Sequence, residues 1–131
     1  MDFEWNGDSL RTRQRRSAVA RHPKTNETVF FNQIQLHHVS CLDPTVREAL
    51  FSFFAPEELP RNVYYGDGAP IEDSTVQTII DTYWRNAVSF PWQKGDILML
   101  DNMLIAHARL PYKGARKIVV AMGDMLTQES L

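Results

Sequence analysis

The chain has 131 residues, the length of a single domain. Apolar residues make up 44% and charged residues 23%, a balance that permits a packed core and argues against wholesale disorder. Fourteen basic residues against sixteen acidic ones give a formal charge of −2, so there is no general basic excess to draw the chain to nucleic acid.

In chain order, "FEW", "NGD" and "SLRTRQ" predict a hairpin, because Asn6-Gly7 supplies the positive φ angles of a tight turn. The run "RTRQRRSAVAR", residues 11 to 21, holds five arginines. As a basic arm it could touch phosphate. Its alternation with Thr12, Gln14 and Ser17 favours a solvated strand face. A second hairpin is predicted over "SAVARHPKTNETVFFNQIQL", with His22 to Asn26 as its turn and Val29, Phe30 and Phe31 starting the returning strand.

Asp43-Pro44 announces a helix, with Asp43 as N-cap, Pro44 in the first turn, and Val46, Leu50 and Phe53 or Phe54 on one face. Pro56 and Pro60 close it. Asp73 is expected to cap a second helix faced by Val76, Ile79, Ile80, Tyr83 and Trp84. The remainder reads as β: "AVSF", "ILML", "LIAHAR" and "RKIVVAM", separated by a turn at Lys94-Gly95-Asp96 and a loop from Pro111 to Ala115. Short strands before and after two helices predict a mainly β domain spanning residues 1–131, barrel-like or jelly-roll in architecture.

The lone cysteine, Cys41, excludes an internal disulfide framework and is expected to be a small buried thiol. No run of 18 apolar residues and no apolar signal core is present, so the expectation is a soluble, cytoplasmic protein with no membrane partner.

Two residues raise the question of chemistry. Alternation along "LIAHAR" puts Ile105, His107 and Arg109 on one face, and Arg116 opens the next apolar run. Neutral imidazole is the commonest metal ligand, and a guanidinium fork matches a carboxylate through two parallel hydrogen bonds. Together they are the minimum that would hold a chelating keto acid against iron. The plainer alternatives are a core histidine and a surface arginine paired with an acid, and spacing does not separate these readings.

Residues 95 to 122, "GDILMLDNMLIAHARLPYKGARKIVVAM", resemble the C-terminal signature of the taurine dioxygenase family of iron(II)- and 2-oxoglutarate-dependent oxygenases. "AVARHPKTNETVFFNQ" is similar to that family's HP-x-TG hairpin, and "LPRNVYYGDGAPIED" to its syringomycin-biosynthesis-like branch, whose members act on amino acids or carrier-tethered amino acids. The resemblance implies a double-stranded β-helix, with His107 as the distal iron ligand and Arg116 on the distal carboxylate of 2-oxoglutarate. By the same resemblance Asp101 and Asn102 form the polar corner before the ligand segment, and Asn32 lies near the pocket. It implies an oxidoreductase, a dioxygenase that hydroxylates an amino-acid-like substrate. Val120 stands where taurine-using relatives carry a second arginine, which argues against a sulfonate substrate.

The chain departs from the family in one respect. None of its four histidines, His22, His37, His38 and His107, begins a His-x-Asp or His-x-Glu pair, the source of the family's other two iron ligands. The expectation is therefore the C-terminal portion of such an oxygenase, which turns over nothing by itself. A second chain could supply the missing ligands. Recruitment of His37 or His38 is the weakest route, because neighbours on a strand face opposite ways. A non-catalytic jelly-roll binding or oligomerisation module is the alternative. Half a jelly roll leaves strand edges open, so a homo-oligomer is expected.

Overall fold

The computed structural model of the chain describes residues 1–124. Its first element is a hairpin of β1 (Asp2–Asn6) and β2 (Ser9–Arg13), paired antiparallel with Asn6 opposite Ser9. The two-residue loop is Gly7-Asp8, one position later than expected. Only Gly7 takes a positive φ (59°), the glycine-first pattern whose twist suits a hairpin. Two arginines of the basic run reach loop carbonyls: Arg11 donates to Glu57 O at 2.7 Å, and Arg15 donates to Gly66 O.

The second hairpin joins β3 (Ala20–Arg21) to β4 (Thr28–Val29), with Ala20 opposite Val29. Its turn is closed by two backbone bonds of 2.8 Å, His22 N to Glu27 O and Asn26 N to His22 O. Asn26 sits at φ 63°, a left-handed position that asparagine tolerates better than most residues.

Three helices follow: α1 (Ile34–His37), α2 (Pro44–Phe53) and α3 (Asp73–Arg85). The start of α2 is as the sequence predicts. The Asp43 carboxylate accepts from Thr45 N at 2.9 Å, with Pro44 in the first turn. The predicted apolar face of α2 stays largely open, with Phe53 81% exposed. The N-cap position of α3 is Glu72, which makes no side-chain cap bond, one residue before the expected Asp73, whose carboxylate instead meets Arg47 at 2.6 Å. On the face of α3, Val76 is fully buried and Trp84 lies exposed.

The described chain forms two compact units, one of Met1–Arg15 with Gln33–Lys94, the other of Arg16–Asn32 with Gly95 onward. The first is centred on Val39, Ile71 and Val76, packed with a buried histidine, His38. Its Nε2 donates to Ile71 O at 3.0 Å, and its Nδ1 accepts from Ser40 N at 3.1 Å. His38 is thus a neutral core brace, while the half-buried His37 accepts from Arg61 Nε at 2.6 Å. Among the described residues neither belongs to a metal-binding group.

Two expectations are corrected. The late apolar runs form no ladder between 87 and 124: no residue there belongs to a strand, and the short strands lie in two separate two-stranded sheets rather than a closed barrel. A strand needs a neighbour to accept and donate its backbone bonds, and these runs are open, with Ile97 at 93% and Val119 at 80% exposure. Cys41 is exposed, because it closes a short 3-10 turn (Val39–Cys41) in which Val39 takes the buried place.

Candidate functional site

All the residues assigned to the site by sequence lie in the second unit. The polar corner before His107 is a helical turn. Asp101 O accepts from Leu104 N at 3.1 Å and Ile105 N at 2.9 Å, while Asp101 Oδ1 accepts from Met103 N at 3.0 Å. This caps the turn and lets Met103 point inward, where it is buried.

The other carboxylate oxygen of Asp101 meets His22 Nε2 at 2.9 Å. His22 is 4% exposed. Its Nδ1 lies 3.0 Å from Thr25 N, and a backbone N–H can only donate, so Nδ1 is an acceptor and the proton sits on Nε2, aimed at Asp101. The hydrogen bond from His22, followed by that from Met103 N, holds the Asp101 carboxyl below its ordinary range. This pair ties the HP-x-TG-like turn to the corner that launches His107. In the sequence Asp101 reads as a turn residue and His22 as part of a hairpin, with nothing to join them. A histidine and an aspartate in two polar corners were the available signal.

His107 follows the corner outside any helix or strand and is exposed, so it is not a core histidine. Arg116 stacks on Tyr112, its guanidinium carbon 5.0 Å from the ring centroid, and Arg109 approaches the same ring at 4.8 Å. Neither arginine has an ion-pair partner among the described residues. No described hydrogen bond or ring contact joins His107 to Arg116. The Asn32 side-chain amide donates to Ala18 O at 2.6 Å, bridging the two legs of the β3–β4 hairpin. Open hollows line α3 at Thr78, Asp81, Trp84 and Arg85, and the first hairpin at Phe3 and Arg11; they include none of these site residues.

An iron site of the two-histidine, one-carboxylate kind needs three protein ligands together. Among the described residues no three histidine, cysteine, aspartate or glutamate side chains are grouped so as to hold a metal ion. The residues present therefore do not by themselves fit an iron ion. What they offer is one accessible imidazole and two guanidiniums free to receive an anion.

Comparison with known proteins places these features in context. The chain is 42% identical over 125 residues to the dapdiamide synthesis protein DdaC of Enterobacter agglomerans, a match covering 95% of this chain and 38% of that one. It is 32% identical over 60 residues to a clavaminate synthase-like protein of Arabidopsis thaliana, covering 46% of this chain and 18% of the relative. The chain thus spans less than half the length of these curated relatives. No solved structure matches it. The profile of the taurine catabolism dioxygenase TauD, TfdA family matches residues 2–122, a span that takes in the His22–Asp101 pair, His107 and Arg116. With both hairpins, both polar corners and the basic loop inside that span, the chain belongs to the TauD/TfdA dioxygenase family.

Proposed function

We propose that this chain carries the distal part of the active site of an iron(II)- and 2-oxoglutarate-dependent oxygenase that hydroxylates an amino-acid-like small molecule. The supporting observation is the family match over residues 2–122, which includes both His107 and Arg116. Iron(II) and 2-oxoglutarate are the family's cofactors, and in such an enzyme the metal and keto acid supply the oxidising chemistry. The chain's own residues bind and orient. Arg116 offers two parallel donors to the far carboxylate of the keto acid. His107 offers one imidazole lone pair to the metal. The clamped Asp101 corner fixes the start of the segment that carries His107.

The other ligands come from outside the described residues, so the chain by itself turns over nothing. A relative named for dapdiamide synthesis supports a place in small-molecule biosynthesis, with a free or carrier-tethered amino acid as the substrate class. Open apolar runs such as that around Ile97 support self-association.

The test is a chimera in which this chain replaces the matching part of a full-length TauD-family dioxygenase. The expected result is succinate formation that needs oxygen, iron(II) and 2-oxoglutarate, is lost in His107→Ala, and requires about tenfold more keto acid in Arg116→Gln. A chimera that melts cooperatively yet makes no succinate overturns the oxygenase reading. It favours the second one, a non-catalytic binding or oligomerisation module. The isolated chain, mixed anaerobically with iron(II) and 2-oxoglutarate, is expected to show no metal-to-ligand charge-transfer band. A band there overturns the incompleteness of the site.

A further inference from the structure

The geometry points to Arg109 as a second carboxylate-binding residue, held beside Arg116 by Tyr112 so that two guanidiniums close on one carboxylate of a small dianionic acid. The inference rests on the reading of Arg116 as a carboxylate clamp and adds to it a partner and a scaffold. Both guanidinium carbons lie within 5.0 Å of one ring centroid. They are therefore no more than about 10 Å apart, within one Debye length at roughly 0.1 M salt, and each feels the other's charge.

Two like charges gathered on one exposed ring repel, and nothing nearby in the sequence relieves them. Between Asp101 and Asp124 there is no acidic residue, while Arg109, Lys113, Arg116 and Lys117 are all basic. Asp101 is engaged by His22 and Asp124 by Lys24 at 2.9 Å. Neither Arg109 nor Arg116 has a carboxylate partner among the described residues. The ring quadrupole accounts for their orientation but leaves every N–H of both forks unmatched by an anion. Gly114, at φ 93°, turns the chain between Tyr112 and Arg116 with a conformation that side-chain-bearing residues rarely adopt, so the spacing of ring and fork is built into the loop. An anion that engages both forks offsets the repulsion and supplies the hydrogen-bond acceptors they lack. A planar carboxylate does this with parallel hydrogen bonds.

The probe is 2-oxoglutarate, titrated into the full chain with chelator present and ionic strength held constant, and followed by the NMR signals of the arginine Nε–H groups and the Gly114 amide. Saturable shifts are expected in the unmodified chain, with acetate, a lone carboxylate, saturating only at higher concentration and chloride giving none. Arg109→Gln and Tyr112→Leu are expected to weaken binding about tenfold, while Tyr112→Phe, which keeps the ring, binds like the unmodified chain. If Arg109→Gln binds normally while Arg116→Gln does not, the second clamp is overturned and the reading of Arg116 stands. If Arg116→Gln binds normally, the reading beneath it falls. Absence of saturation in the unmodified chain, or acetate saturating at the same concentration, overturns the paired site.

Discussion

His22 and Asp101 are 79 positions apart in sequence and meet at 2.9 Å, Nε2 to Oδ2. The histidine is buried, the aspartate half-exposed, and each is held from its other side by a backbone N–H, of Thr25 and Met103 respectively. Three hydrogen bonds satisfy both imidazole nitrogens and both carboxylate oxygens, and they fix the turn before His107.

Replacing His22 by leucine removes an acceptor from Thr25 N–H and a donor from Asp101. Loss of a hydrogen bond that leaves a partner unmatched costs about 1–3 kcal/mol. The expected outcome is faster amide exchange at Thr25 and Met103, with the first hairpin unaffected. Asp101→Asn keeps an acceptor oxygen and is expected to do less. Equal protection of Thr25 in His22→Leu and the unmodified chain would contradict the pairing.

Acid should loosen the same contact. The hydrogen bond from His22 lowers the folded-state pKa of Asp101 from its ordinary 3.8, so the ionised form is favoured by folding. That contribution is complete above the ordinary value and disappears as pH falls through the lowered one. Asp124, lowered by its bond to Lys24, and Glu72, lowered first by its own backbone N–H and then by the Tyr65 hydroxyl, act in the same sense. Protection of the Met103 amide is expected to fall below about pH 4. The decline should be shallower in Asp101→Asn, and a decline of the same steepness in both would argue against the assigned cause.

Asp43 is a cap of ordinary strength. Asp43→Ala leaves Thr45 N–H without its acceptor and should destabilise α2 by about 1 kcal/mol, whereas Asp43→Ser should be close to neutral. Helical circular dichroism during urea unfolding distinguishes the two substitutions, and an unchanged alanine variant would remove the cap from the account.

The open apolar runs predict self-association. Ile97, Met99 and Val119 are at least 80% exposed, in runs that join no sheet. Sedimentation velocity should show mass rising with concentration, and Ile97→Lys with Val119→Lys should reverse it. A monomer at every concentration over about a hundredfold range would contradict it.

Features written in short stretches were legible beforehand: the glycine in the first turn, the Asp43-Pro44 start of α2, and the hairpin around His22 to Asn26. Each depends on the φ preference or capping chemistry of a few neighbours, and the structure places each within a residue of its expected position. Less could be read wherever the outcome depends on a distant partner. Alternation in "ILML" and "RKIVVAM" describes a strand that finds a neighbour, and periodicity cannot say whether one is present. Trp84 and Cys41 were assigned inward by their local pattern, but Val76 and Val39 fill those interiors. For the site, His107 and Arg116 could be named from family likeness. The contacts that organise their surroundings, His22 with Asp101 and Tyr112 with two arginines, join residues that no spacing rule links.

The outward-facing thiol of Cys41 has a practical corollary. It is the chain's single sulfhydryl, so any disulfide it forms must be with another molecule. Air-exposed preparations will accumulate covalent pairs of exactly twofold mass, separable by reductant from association through β-edges. The same uniqueness makes Cys41 a one-position anchor for a spectroscopic probe beside the His38 brace.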